Sequence, residues 1–154
     1  MPRQLFASDL HVGQCFAGAT HCVDDKAFQT FAALSGDSHP IHYDDAYAAR
    51  SRFGKRAAHG LLLNALTALG ATPLSRSLEE SMVAFLEQSS RFTKPVFVGE
   101  QLTSEFQVAS IKMNRDGATA VVRFDVKLTR ADGEAVLEGH HSYLLRQSAS
   151  GTAA

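Results

Sequence analysis

Cysteine is scarce in this chain: Cys15 and Cys22 are the only two, and they lack the C-x-x-C spacing of a redox or zinc motif. Seven positions apart on one expected strand, they stand too far from each other for a disulfide, which needs Cα atoms within about 7 Å. Both are read as reduced thiols, which suits a cytoplasm. Charge of one sign is also missing. The chain has 15 Lys and Arg against 16 Asp and Glu, a formal net charge of −1. That balance gives no electrostatic reason to expect nucleic acid or an anionic membrane as partner. No apolar run approaches the roughly 18 residues of a membrane span, and Met-Pro-Arg-Gln-Leu at the start lacks a signal-peptide core. No internal repeat is visible. The expectation is a soluble, cytoplasmic protein.

What remains is an ordinary globular composition, 45 % hydrophobic and 20 % charged over 154 residues, enough for one core. Residues 1–146 are read as a single domain. Gln147 to Ala154, rich in Ser, Ala and Gly, are expected to form a flexible tail. A local basic group, Arg50, Arg52, Lys55 and Arg56, is either a solvated helix end or a place to meet a phosphorylated small ligand.

The pattern changes period midway. In the first half Asp24 and Asp25 can cap a helix whose Phe28, Phe31 and Ala32 share a face, and Gly36 supplies its stop. Asp44 and Asp45 start a second, short helix from Ala46 to about Arg50. A third begins near His59-Gly60 and carries Leu61, Leu62, Leu63, Leu66 and Leu69, apolar over much of its circumference and therefore expected to be buried. Gly70 and Pro73 are expected to end it.

In the second half Leu102, Phe106 and Val108 alternate with Thr103, Glu105 and Gln107. Residues 118–129 continue this period of two, with turn signals at Asn114–Gly117 and Asp132-Gly133. Glu134–Arg146 and Met82–Phe92 read as further strands, and Gln14–Val23 as a weaker one. The fold class expected is α+β, an antiparallel sheet wrapped around a long central apolar helix. A free sheet face or edge strand would then be open to a second copy.

Between the first two helices lies Ser35-Gly-Asp-Ser-His-Pro-Ile-His42. Gly36 lets the backbone turn, and Pro40 biases His39 toward an extended conformation. Asp37, His39 and His42 thus sit on a short restrained loop, where a rigid scaffold often presents reactive groups. A carboxylate and an imidazole held together can share a water, one taking its proton while the other supplies one. The bland alternative is a turn-capping Asp37 and a packing His42. Against it stands Ala57-Ala58-His59-Gly60 at the start of the apolar helix. A helix N-terminus offers free N–H groups to a developing oxyanion, and Gly60 permits close approach. Acid–base pair and oxyanion donor together are the minimum set for adding or removing water beside a carbonyl.

These residues, with Phe31-Ala-Ala-Leu preceding the loop, Tyr43-Asp44, Ala46-Tyr47-Ala48, Phe53-Gly54, Ala58-His-Gly-Leu61 and Phe92-Thr-Lys-Pro-Val-Phe-Val-Gly-Glu100, resemble the MaoC-like, or (R)-specific enoyl-CoA hydratase, family over roughly residues 24–145. The resemblance implies a hot-dog fold, homodimers or homo-oligomers of dimers, and an acyl-CoA thioester as substrate. It implies Asp37 and His42 as the catalytic pair and the Gly60 N–H facing the thioester oxygen. The reaction implied is reversible syn hydration of a trans-2-enoyl-CoA to an (R)-3-hydroxyacyl-CoA, with no cofactor and no metal. His39 stands where the family commonly has Asn, and His39 and His59 are taken as organising the site. Three alternatives stay open: a metal held by Asp37, His39, His42 and His59, a thioesterase on the same fold, and a non-catalytic acyl-thioester-binding protein.

Overall fold

The computed structural model describes residues 2–149. Its elements are β1 (Cys15–Val23), α1 (Asp25–Ser35), α2 (Pro40–Tyr43), α3 (Asp45–Ala49), α4 (Gly60–Ala65), α5 (Pro73–Ser77), β2 (Met82–Phe92), β3 (Glu100–Met113), β4 (Thr119–Arg130) and β5 (Ala135–Arg146). The five strands form one antiparallel sheet in the order β1-β3-β4-β5-β2, with β1 and β2 at its edges. The period of two predicted from the sequence is the period of burial. On β4, Ala120, Val122, Phe124, Val126 and Leu128 are buried while Arg123, Asp125 and Lys127 face solvent. One face of the sheet therefore carries the core and the other is polar. Gly117 and Gly133 turn the β3–β4 and β4–β5 hairpins with positive φ, 64° and 86°, conformations that side chains with a Cβ resist.

The helices cover the apolar face in two patches. Leu69, Leu74 and Leu78 pack on Phe106, Phe124, Val126 and Leu145 at one end. Phe28, Leu62 and Leu63 pack on Leu102, Leu128, Val136 and Leu137 at the other. This is the hot-dog arrangement that the resemblance implies.

α1 forms as its signals predict. The Asp24 carboxylate accepts from the Ala27 N–H at 2.9 Å. Gly36, left-handed at φ 76°, donates its N–H to Ala32 O and ends the helix.

The central helix differs from the expectation. Instead of one long rod from Gly60 to Gly70, the chain makes α4, a 3-10 turn at Leu69–Ala71, and then α5. The break has a local cause. Thr67 donates its hydroxyl to Asn64 O at 2.7 Å, and the backbone N–H groups of Thr67 and Ala68 reach back only three residues, to Asn64 O and Ala65 O. A side chain that captures a helix carbonyl competes with the regular ladder and tightens the turn. Pro73, expected to stop a helix, instead occupies the first turn of α5, where its missing N–H costs nothing. Leu62, Leu63 and Leu69 are buried, but Leu61 is exposed.

Cys15 and Cys22 are free and exposed. Gln147, where the tail was expected to start, is tied by backbone bonds to Ala118 and Ser8. Of the rest of that expectation, residues 150–154 lie outside the described residues. Among the described residues no helix is long and apolar enough to cross a membrane.

Candidate active site

The loop after α1 is built by short side-chain-to-backbone bonds. Ser35 Oγ accepts from the Asp37 N–H at 3.1 Å, and Asp37 Oδ1 accepts from the His39 N–H at 3.2 Å. His39 is extended (φ −60°, ψ 131°) and caps α2, its Nδ1 accepting from the Ile41 N–H at 3.2 Å, with Pro40 in the first turn. The stretch 40–43 is thus one helical turn rather than open loop. An imidazole nitrogen here does the capping work for which an Asn oxygen would serve.

That turn carries His42 and Tyr43 inward. His42 Nδ1 lies 2.6 Å from Ala57 O. A carbonyl only accepts, so Nδ1 carries the hydrogen and Nε2 is left for chemistry. The His42 ring stacks on His59 at 3.7 Å between centroids and 25° between planes. The Tyr43 hydroxyl stands 3.0 Å from Asp37 O, 3.1 Å from Phe28 O and 2.7 Å from His59 Nε2. Both carbonyls need the single phenolic hydrogen, which assigns the Nε2–H to His59 as donor to the Tyr43 oxygen. The His59 Nδ1 is then a bare lone pair, buried and without a partner among the described residues.

Burial, and secondarily the neighbouring His42, lowers the His59 pKa to about 4, against a small opposing pull from Asp37. His59 is neutral at physiological pH. Nitrogen or oxygen atoms of Asp37, His42 and His59 all lie within 4.8 Å of one another.

His42 and Gly60 both line a cavity of about 430 Å³, together with Leu63, Phe92, Val96 and Arg52. Asp37 is exposed and is not a wall of that cavity. Gly60 is the first residue of α4, so its N–H has no partner within the helix. The Phe92 ring of β2 sits over it; a Cβ at Gly60 would lie 3.0 Å from that ring.

Of the basic group, Arg56 is consumed by ion pairs to Asp25 (2.6 Å) and Asp45 (2.9 Å). Arg52 instead lies 4.7 Å above the Phe53 ring, and Lys55 4.4 Å above Phe97. Asp37, His39, His42, His59 and Gly60, singled out in the sequence, are therefore gathered around one corner of the fold. Tyr43, Phe92 and the Ala57 carbonyl were not anticipated as parts of it. In the sequence Tyr43 and Phe92 stand only among the residues that carry the family resemblance, with no role in the site assigned to them.

The family model for a MaoC-like domain matches residues 13–131. The chain belongs to that family. It is 36 % identical over 110 residues to an (R)-specific enoyl-CoA hydratase of Aeromonas caviae, covering 70 % of this chain and 80 % of that one. It is 33 % identical over 112 residues to a 3-hydroxybutyryl-CoA dehydratase of Methylorubrum extorquens, covering 70 % and 68 %. Among solved structures it superimposes on an R-hydratase of Pseudomonas aeruginosa with a TM-score of 0.75 and 30 % identity, over 94 % of this chain and 88 % of that one. These relatives make this MaoC-like chain a member of a hydratase and dehydratase family, and so a hydro-lyase by class.

Proposed function

We propose that the protein catalyses reversible syn addition of water to a trans-2-enoyl-CoA, giving an (R)-3-hydroxyacyl-CoA. The observation that carries this reading is the gathering of Asp37 and His42, with polar atoms within 4.8 Å, next to a cavity whose wall includes Gly60. Two groups hydrogen-bonded to one water stand about 4.5 Å apart, so a single water fits between them. Asp37 takes the proton of that water as its oxygen bonds to C3. The double-bond electrons pass toward the thioester, whose oxygen accepts from the Gly60 N–H. His42, protonated at Nε2, then delivers a proton to C2. Transfer of the proton held by Asp37 to His42 restores the pair. His39 and His59 organise the site, the first by capping the turn that carries His42, the second as the neutral ring beneath it.

No metal or redox cofactor enters this scheme, coenzyme A being part of the substrate. Asp37, His42 and His59, whose ligand atoms lie within 4.8 Å of one another, are the set a metal would need, and stoichiometric zinc in the purified protein would overturn the metal-free scheme. The reading is tested by incubating the protein with crotonyl-CoA. Loss of the enoyl absorbance without release of free thiol, with (R)-3-hydroxybutyryl-CoA as product, is the expected result. Free thiol would mean a thioesterase, and an unchanged spectrum across enoyl-CoAs of several lengths would mean no hydratase.

We also propose a homodimer, in the cytoplasm. Edge strand β2 exposes Val83, Phe85, Leu86 and Phe92, and an apolar unpaired edge calls for a cover. A single monomer peak in sizing chromatography at micromolar concentration would overturn it.

A further inference from the structure

Resting on the reading above, we infer that Arg52 and Lys55 hold the phosphates of the nucleotide carrier, so that the mouth of the cavity selects a coenzyme A thioester rather than one borne on a carrier protein. The segment 50–56 brings four cations to one end of a chain that is otherwise electrically balanced. Arg56 is taken by Asp25 and Asp45. Lys94, also on the cavity wall, is shared with Glu134 at 3.6 Å. Among the described residues, neither Arg52 nor Lys55 has a carboxylate within ion-pair distance. Glu100 feels the charge of Lys55, but it is engaged by Arg130 and by the Phe97 N–H.

Of the three cations of this segment left without an ion pair among the described residues, Arg52 and Lys55 are nonetheless placed. Arg52 lies over Phe53 and Lys55 over Phe97, and the two rings meet edge to face at 6.4 Å. A cation parked on a ring face is oriented at little entropic cost and keeps its N–H donors for an anion. Both Arg52 and Phe53 line the same cavity as His42 and Gly60. A thioester whose carbonyl reaches Gly60 therefore trails its carrier past this pair. Two charges with two aromatic rings make a compact patch, matched to a diphosphate, a sugar phosphate and a purine. A carrier protein would ask for a broad basic face, and here Arg56, the neighbouring cation, is neutralised by Asp25 and Asp45.

The test compares wild type with Arg52→Ala/Lys55→Ala on crotonyl-CoA and on the N-acetylcysteamine thioester of crotonate, which lacks every phosphate. The CoA-to-N-acetylcysteamine ratio of kcat/KM is expected to fall at least about fivefold in the double variant, through KM, with a weaker salt dependence. Binding of free coenzyme A, followed by calorimetry, is expected to weaken in parallel. Arg52→Lys is expected to recover part of the loss. An unchanged ratio, an equal loss on both thioesters, or a loss confined to a crotonyl carrier protein would each overturn the inference. Calorimetry keeps it separate from the proposed reaction. If no thioester is hydrated but coenzyme A binds wild type and not the double variant, the nucleotide site stands and the hydratase reading falls.

Discussion

Replacing Asp37 by Asn or His42 by Ala is expected to lower kcat/KM for crotonyl-CoA by at least about 100-fold in each case, the scale of a general acid–base contribution. The Asn variant is the cleaner of the two. An Asn oxygen can still accept from the His39 N–H as Asp37 Oδ1 does, so the turn keeps its shape while the proton acceptor is lost. In the Ala variant the Ala57 carbonyl loses its donor and the His59 ring loses the face it stacks on. Circular dichroism and melting therefore accompany the kinetics. The double variant is expected to be little worse than either single one, because two groups sharing one water act as a unit. Activity within tenfold of wild type in the folded Asn variant would remove Asp37 from the mechanism.

Phe28→Ala is expected to destabilise the protein by about 3–5 kcal/mol, lowering the melting temperature by roughly 6–20 °C for a domain of this size. Phe28 is wholly buried in the core patch under α4. Its ring meets His59 edge to face at 5.3 Å and stands 6.5 Å from both His42 and Tyr43. The substitution would leave a ring-sized void directly under the two imidazoles. Activity should consequently fall even at temperatures where the variant stays folded. Phe28→Leu, which refills most of the volume, is expected to recover more stability than activity. A thermal melt within 2 °C of wild type for the Ala variant, a shift below roughly 1 kcal/mol, would show that this ring is not a support.

The strands were legible in the sequence because one sheet face meets water, which prints a period of two on Val122, Phe124 and Val126 against Arg123, Asp125 and Lys127. α1 was legible through Asp24 and Gly36, whose capping chemistry is local. The broken central helix was not. A run of leucines reports burial, while the break depends on where one Thr67 hydroxyl finds its acceptor. In the site, residue type and spacing left Asp37 and His42 open to a capping and packing reading, and the helix start at Gly60 with the family resemblance singled them out; the structure brings His42 and Gly60 onto one cavity. The His42–His59 stack and the Tyr43–His59 hydrogen bond join residues 17 and 16 positions apart, and no local pattern encodes such a meeting. His39 reads as an oddity in the sequence and as a helix cap in the fold.

Arg56 reaches Asp25 at the head of α1 and Asp45 at the head of α3, and its Nη1 lies 3.4 Å from His42 O. One guanidinium thereby clasps both flanks of the segment that carries Asp37 and His42. Ordering a segment of that length costs on the order of 1–2 kcal/mol of backbone entropy per residue. With the clasp closed, that ordering is completed when the chain folds, and an arriving ligand does not have to impose it.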